Sequence, residues 1–172
     1  MKKCLIILVC GLLYSCVSTR KVQNQSLEVA KFDTAKFNGN YANYAGTGYN
    51  KGLFEKLCTE VPFSNATGDS ILINFNFENK NTLVITTVNN GKIMQTKKLK
   101  GRIKNNYFSV RRKLFLIPFP FIVYSHDETK ILLGNDKNGN LILKLGHHSV
   151  FWVFIMAAGE SYVSQYQYKK IN

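Results

Sequence analysis

The sequence predicts a mainly β fold: an antiparallel meander of about eight to ten strands, closed or nearly closed into a small barrel, with one short helix. Three observations predict it. From Ser70 onward apolar residues recur with a period of two, as in Ile71, Ile73, Phe75 and Phe77, which places one face of each strand on a core. Turn-forming pairs rich in Asn and Gly separate these runs at hairpin distance. Only one stretch, Tyr49 to Cys58, carries a helical stripe, with Leu53, Phe54, Leu57 and Cys58 at i, i+1, i+4 and i+5.

The elements follow in order. Phe37 to Tyr44 reads as an opening turn and strand, with Asn38-Gly39 supplying the turn and the Tyr residues suiting a half-buried pleat. Gly46-Thr47-Gly48 breaks it before the helix. Ile71 to Phe77 turns through Glu78-Asn81 into Thr82 to Val88. Asn89-Asn90-Gly91 then leads into a strand from Lys92 to Lys104, and Asn105-Asn106 turns that into Tyr107 to Ile117. Pro118 and Pro120 cannot donate to a ladder, so this point is a corner or an edge. Phe121 to Tyr124 reads as a short strand and Ser125-His126-Asp127-Glu128 as a turn. Lys130 to Leu133 and Leu141 to Leu145 pair across Asp136 to Asn140, and Ser161 to Tyr168 closes the chain. The lone helix near the start of a β meander resembles lipocalin-like barrels in architecture.

The amino terminus carries the address. Met1-Lys2-Lys3 is a short positive region and Cys4 to Leu13 is an apolar run of ten residues. A membrane-spanning helix needs about 20 such residues, so the run matches a cleaved export signal. Leu13-Tyr14-Ser15-Cys16 resembles the lipobox of bacterial lipoproteins, in which Leu stands three places before the modified Cys and a small residue directly before it. The resemblance covers the first sixteen residues, and Tyr14 is bulkier than the pattern's usual residue. It implies a signal peptide at 1–15 and a diacylglyceryl group on Cys16, with further acylation such as palmitate at the new amino terminus. The alternative is an ordinary secretory signal with Cys16 unmodified. Residues 16–33 are then the lipidated end and a flexible tether, in which Arg20 and Lys21 face anionic head groups or solvent. Residues 34–172 are the β-barrel-like domain. The address is the cell envelope, lipid-anchored to a membrane, the outer membrane being one choice, and periplasm-facing because no acidic cluster follows Cys16.

Composition sets the remaining bounds. Removing fifteen residues from 172 leaves 157, enough for one domain with a real core. Without Lys2 and Lys3, 21 of the 23 basic residues face 10 acidic ones, a formal charge of +11. Cys58 is then the one unmodified cysteine, so no internal disulfide is expected and the core must hold the fold. On the helical stripe, Cys58 reads as a small buried hydrophobe.

The densest chemical feature is basic. Lys97, Lys98, Lys100, Arg102, Lys104, Arg111, Arg112 and Lys113 lie within one hairpin that has no acidic residue. Lys98, Lys100, Arg102 and Lys104 share one face by period two. Like charges on adjacent strands repel, so the cluster is either solvated or meets anions such as lipid phosphates. Nucleic acid is not expected of an exported chain without aromatic recognition motifs.

Other constellations point away from chemistry. Asp136-Lys137-Asn138-Gly139-Asn140 has its Gly at the fourth place and lacks the closing Glu of a calcium loop, so it reads as a turn. His147 and His148 are adjacent and point to opposite faces of a strand, and no zinc spacing is present. Ser125-His126-Asp127 sets triad residue types side by side, whereas a triad is assembled through the fold. No catalytic residue, metal or cofactor is expected. The apolar run Val150 to Met156 suits either a barrel interior or an exposed lip. Two functions remain: a non-enzymatic envelope lipoprotein that binds an apolar or amphipathic ligand, or a structural or assembly factor whose basic hairpin meets anionic lipid or an envelope protein.

Overall fold

The computed structural model describes residues 27–45, 52–58, 71–119, 123–153 and 156–171; at 113–119, 123 and 157 it describes the backbone alone. The signal peptide, Cys16, Arg20, Lys21 and the break at Gly46-Thr47-Gly48 lie outside the described residues. Among the described residues two short helices, α1 (Thr34–Phe37) and α2 (Leu53–Leu57), accompany ten strands. These are β1 (Gly39–Ala42), β2 (Ile71–Asn79), β3 (Thr82–Asn89), β4 (Lys92–Lys100), β5 (Arg102–Lys104), β6 (Tyr107–Phe119), β7 (Val123–Asn135), β8 (Leu141–Val153), β9 (Met156–Tyr168) and β10 (Lys170–Ile171). They form two antiparallel five-stranded sheets, in the orders β10-β1-β2-β3-β4 and β5-β6-β7-β8-β9.

The chain passes between the sheets at single residues. Gly101 alone separates β4 in the first sheet from β5 in the second, and Lys169 alone separates β9 from β10. The Gly101 amide still bonds to the Asn81 carbonyl (2.8 Å), so it belongs to the first sheet's ladder as the chain leaves it. A Cβ at Gly101 would stand 2.6 Å from Cζ of Phe108 and 2.7 Å from the Ser109 carbonyl. Glycine is required there by close approach. Local turns follow from residue type: Asn90 (φ 48°) and Gly91 (φ 77°) close β3–β4, and Asn105 (φ 51°) and Asn106 (φ 63°) close β5–β6. Both pairs adopt the left-handed conformation that Asn and Gly tolerate best.

One core cluster draws on both sheets and both helices. Ile73 and Phe75 of β2, Leu83 and Ile85 of β3, Phe108 of β6, Leu133 of β7 and Leu143 of β8 are each 1% exposed or less. Burying each such side chain contributes about 1.5–3 kcal/mol. Phe77 of the first sheet meets Phe108 of the second edge to face at 5.1 Å, and the Phe37 ring makes tilted contacts with Phe32 and Phe75. Leu53, Phe54, Leu57 and Cys58 are buried in the same cluster, as the helical stripe requires. Asn43 orients α2, accepting from the Leu53 amide through its carbonyl (2.7 Å) and from the Phe54 amide through Oδ1 (3.2 Å).

The structure corrects several expectations. Helix α1 was not foreseen; Asp33 caps it by accepting from the Ala35 amide (2.9 Å). The single strand expected from Lys92 to Lys104 is broken at Gly101. Ser125-His126-Asp127-Glu128 is not a turn but the middle of β7, paired with Lys113 to Leu116 on one side and His148 to Phe151 on the other. The apolar run from Val150 contains the β8–β9 hairpin, with Val153 opposite Met156. Within the expected tether, the part described is held. Val29 packs on Tyr107 and Leu132, the Ala30 amide bonds to Asn135 O (2.8 Å), and Phe32 lies against the core.

Candidate functional site

The basic hairpin divides between two faces. Lys98 and Lys100 of β4 alternate with buried Leu99, so they point outward. Arg102 and Lys104 of β5 pair with Ser109 and Tyr107 and keep the same parity across Gly101. These four form a row along the edges of the two sheets, and all four are exposed. Lys98 Nζ is bidentate with the Glu78 carboxylate at 2.7 and 2.9 Å, which leaves Lys100, Arg102 and Lys104 as the outer end of the row. An exposed pair of this kind contributes little to stability.

The other four members behave differently. Lys97 shares the parity of Leu99 and is half-buried on the core side. Arg112 also turns inward, and its guanidinium donates to the carbonyl of Leu57 at the carboxyl end of α2, where a cation is favoured. Arg111 faces outward and its Nε donates to Glu128 (2.5 Å). Lys113 lies opposite Glu128 in the β6–β7 register, and its backbone alone is described.

Two side-chain clusters were not legible in the sequence, because both depend on 125–128 being strand. On the outward face, Glu128 has no exposed surface; Lys130 Nζ (3.6 Å) and His126 Nε2 (3.8 Å) join Arg111 around it. The cationic Arg111 and Lys130 balance the charge of a buried carboxylate that would otherwise be costly to desolvate. On the inward face, His147 lies between Asp127 (Nδ1–Oδ1 3.7 Å) and Glu160 (Nε2–Oε1 3.4 Å), with Thr129 Oγ1 at 3.4 Å. The Tyr162 ring packs on His147 at 5.0 Å, and burial, followed by the charge of Glu160, holds its phenol above the ordinary range. Both carboxylates are substantially exposed, so the group is a solvated charge cluster at the mouth of the sheet. Among the described residues no three His, Cys, Asp or Glu side chains converge as a metal site.

The remaining candidates take structural places. His126 and Asp127 occupy successive strand positions and face opposite sides of the sheet, so the Ser125-His126-Asp127 run is not gathered into a triad. Asp136 acts as a turn carboxylate, accepting from the amides of Asn138 and Asn140 (both 2.8 Å), Asn140 Nδ2 (3.0 Å) and Gln167 Nε2 (2.7 Å). Burial alone would raise its pKa, but these donors together hold it below the usual carboxylate value. Lys144, buried beneath the Tyr107 ring, has its pKa lowered by desolvation. Cys58 is 5% exposed within the core.

A further surface lies at the end of the second sheet. Phe151 and Met156 are 48% and 72% exposed, and Val150, Trp152 and Val153 are part-exposed, so the described residues of this run lie at the surface and not in the core. Among the described residues no helix is long and apolar enough to cross a membrane. Compared with protein-family models, curated proteins and solved structures, the chain matches none.

Proposed function

We propose that the chain is a non-enzymatic, lipid-anchored lipoprotein of the cell envelope, facing the periplasm, that acts through the outer surfaces of a filled, barrel-like domain as a structural or assembly factor. The observation that carries the choice between ligand carrier and surface-acting factor is the core cluster. Inward side chains of both sheets pack against one another and against α2, so that space is occupied by the protein's own residues. The lipobox Leu13-Tyr14-Ser15-Cys16 supports the anchor. The strand order supports barrel closure: counted as bent single strands, β4/β5 and β9/β10 turn the ten strands into a ring of eight, with β10 returning to β1. On this reading the outward row of Lys98, Lys100, Arg102 and Lys104 meets an anionic lipid or an acidic protein surface.

The second reading, an apolar or amphipathic ligand, draws on the hydrophobic lip beyond the core. Native mass spectrometry of the membrane-extracted protein separates the two. A bare polypeptide carrying only its covalent lipid supports the surface-acting factor, and a stoichiometric co-purified lipid supports the carrier. The anchor is tested by feeding cells a palmitate analogue: labelling of the wild type and its loss in Cys16→Ala support the anchor, and equal labelling of both overturns it.

A further inference from the structure

The geometry points to a bilayer-dipping tip: the adjacent ends of β6, β7, β8 and β9, at Phe119, Val123, Val153 and Met156, insert into the head-group and upper acyl region of a lipid membrane. The register brings the two ends together, with Phe119 opposite Val123, Val123 opposite Val153 and Val153 opposite Met156. The last row bearing a charged residue is Leu114–Asp127–Ser149–Glu160. The described residues paired beyond it, from Phe115 to Phe119, Val123 to His126, Val150 to Val153 and Met156 to Gly159, include no Asp, Glu, Lys or Arg. The imidazole of His126, in the first row beyond that line, reaches back toward Glu128 at 3.8 Å and is buried. Four strand steps separate Asp127 from Val123, about 14 Å of sheet, enough to cover the roughly 5–10 Å that an interfacial element buries.

The sheet is apolar on both faces here, which selects the occupant. Phe151, Val153 and Met156 share one face by register, and Val150 and Trp152 share the other. All five retain exposed surface. A protein docking on one face would leave the opposite face in water, whereas a bilayer surrounds both. Depth is limited by the edges. Among the described strands, β9 is the outer strand of its sheet and β6 beyond Ser109 has a partner on one side only. Unpaired peptide groups do not enter hydrocarbon, so the tip seats at the head-group boundary, where amphipathic elements bury about 5–10 Å.

Chain length agrees with this placement, an argument that rests on the anchor reading. Val29 docks beside Gly134, and eleven residues of β7, about 36 Å, separate Gly134 from Val123. Eleven peptide units from Leu27 back to Cys16 reach about 37 Å when extended. The acylated end and the tip can therefore share one membrane surface.

The chain's single tryptophan is Trp152, which makes the tip its own reporter. The full lipidated chain is reconstituted in vesicles of phosphatidylethanolamine and phosphatidylglycerol, with and without bromine on the acyl chains. The expected result is blue-shifted Trp152 emission, with roughly half of it quenched by bromine placed near the head of the chain. Phe151→Asp combined with Met156→Asp alters two exposed positions and should abolish the quenching while the far-ultraviolet β spectrum is kept. Absence of quenching in the wild type, or quenching unchanged in the double variant, overturns the proposal. A lipid-independent blue shift accompanying dimerisation would assign the tip to a second copy and also overturn it. Loss of palmitate labelling with Trp152 still quenched would remove the anchor and leave the tip standing.

Discussion

Asn135, at the end of β7, donates a hydrogen bond of 3.0 Å to Tyr41 Oη on β1, and Tyr41 in turn donates to the Phe37 carbonyl at 2.7 Å. The same Asn135 amide group also donates to Gly139 O (2.9 Å). This chain ties the second sheet and the β7–β8 turn to the first sheet and the end of α1. Tyr41 is fully buried, so each group involved has few other partners. Tyr41→Phe should cost about 1–2 kcal/mol in urea unfolding, with the m-value unchanged and both sheets lost in one transition. An unchanged midpoint would show that the two sheets are coupled by apolar contact alone.

The same residue gives a pH dependence. Burial, partly offset by the Asn135 bond, holds the Tyr41 phenol above its ordinary 10.0. A raised folded-state pKa means that the folded protein keeps the proton where the unfolded chain releases it. This contribution is complete below about pH 10 and is lost as pH rises toward the raised value. Tyr41→Phe should flatten part of the alkaline fall in stability; Tyr107, also raised by burial, leaves a remainder. Matching alkaline profiles for the two proteins would count against this assignment.

Gly101 marks the passage from one sheet to the other. Gly101→Ala drives a methyl group against the Phe108 ring and the Ser109 carbonyl, and the backbone side of that contact cannot yield cheaply. The expected loss is about 1–3 kcal/mol, read as a lower thermal midpoint. A neutral result would mean that the strand bends freely there and that the junction does not fix the relation between the sheets.

Asp136 predicts an acid-side effect of opposite sign. Its lowered pKa means that the charged form stabilises the fold above the unfolded value near 3.8, and that this stability disappears as pH falls through the lower folded value. Asp136→Asn should therefore cost about 1–2 kcal/mol at pH 7, and the difference from wild type should shrink below about pH 4. A gap that persists unchanged to pH 2 would assign the loss to geometry instead of charge.

The basic row lies at the opposite end of β6 from the apolar tip, since Arg102 and Lys104 pair with Ser109 and Tyr107 at the strand's start. With the tip in one bilayer, the row is free to face another anionic surface. Charge reversal at Lys100, Arg102 and Lys104 should reduce salt-sensitive bridging to a second population of anionic vesicles and leave Trp152 quenching intact. Bridging equal to wild type would identify the row as a solvated face.

Much of the first sheet was legible because its rules are local. Ile71 to Phe77 alternates cleanly, and Asn90-Gly91 closes its hairpin with the positive φ angles that the pair favours. The outward row of basic residues also followed from parity. What escaped depends on partners distant in sequence. Ser125-His126-Asp127-Glu128 has the composition of a turn, but its carboxylates meet partners on neighbouring strands, Glu128 with Arg111 and Asp127 beside His147. The inward turn of Arg112 needed the α2 carbonyl of Leu57 in place. The run Val150 to Met156 holds no Gly or Asn, so nothing in its composition marked the point where β8 ends and β9 begins. Helix α1, at four residues, is too short to show a period.

The most direct test of the central claim is the intact mass of the protein extracted from membranes in detergent. The account predicts a chain beginning at Cys16 and heavier than residues 16–172 by a diacylglyceryl group and an amide-linked acyl chain. A mature chain that starts elsewhere, or one that starts at Cys16 with a free thiol, would contradict it.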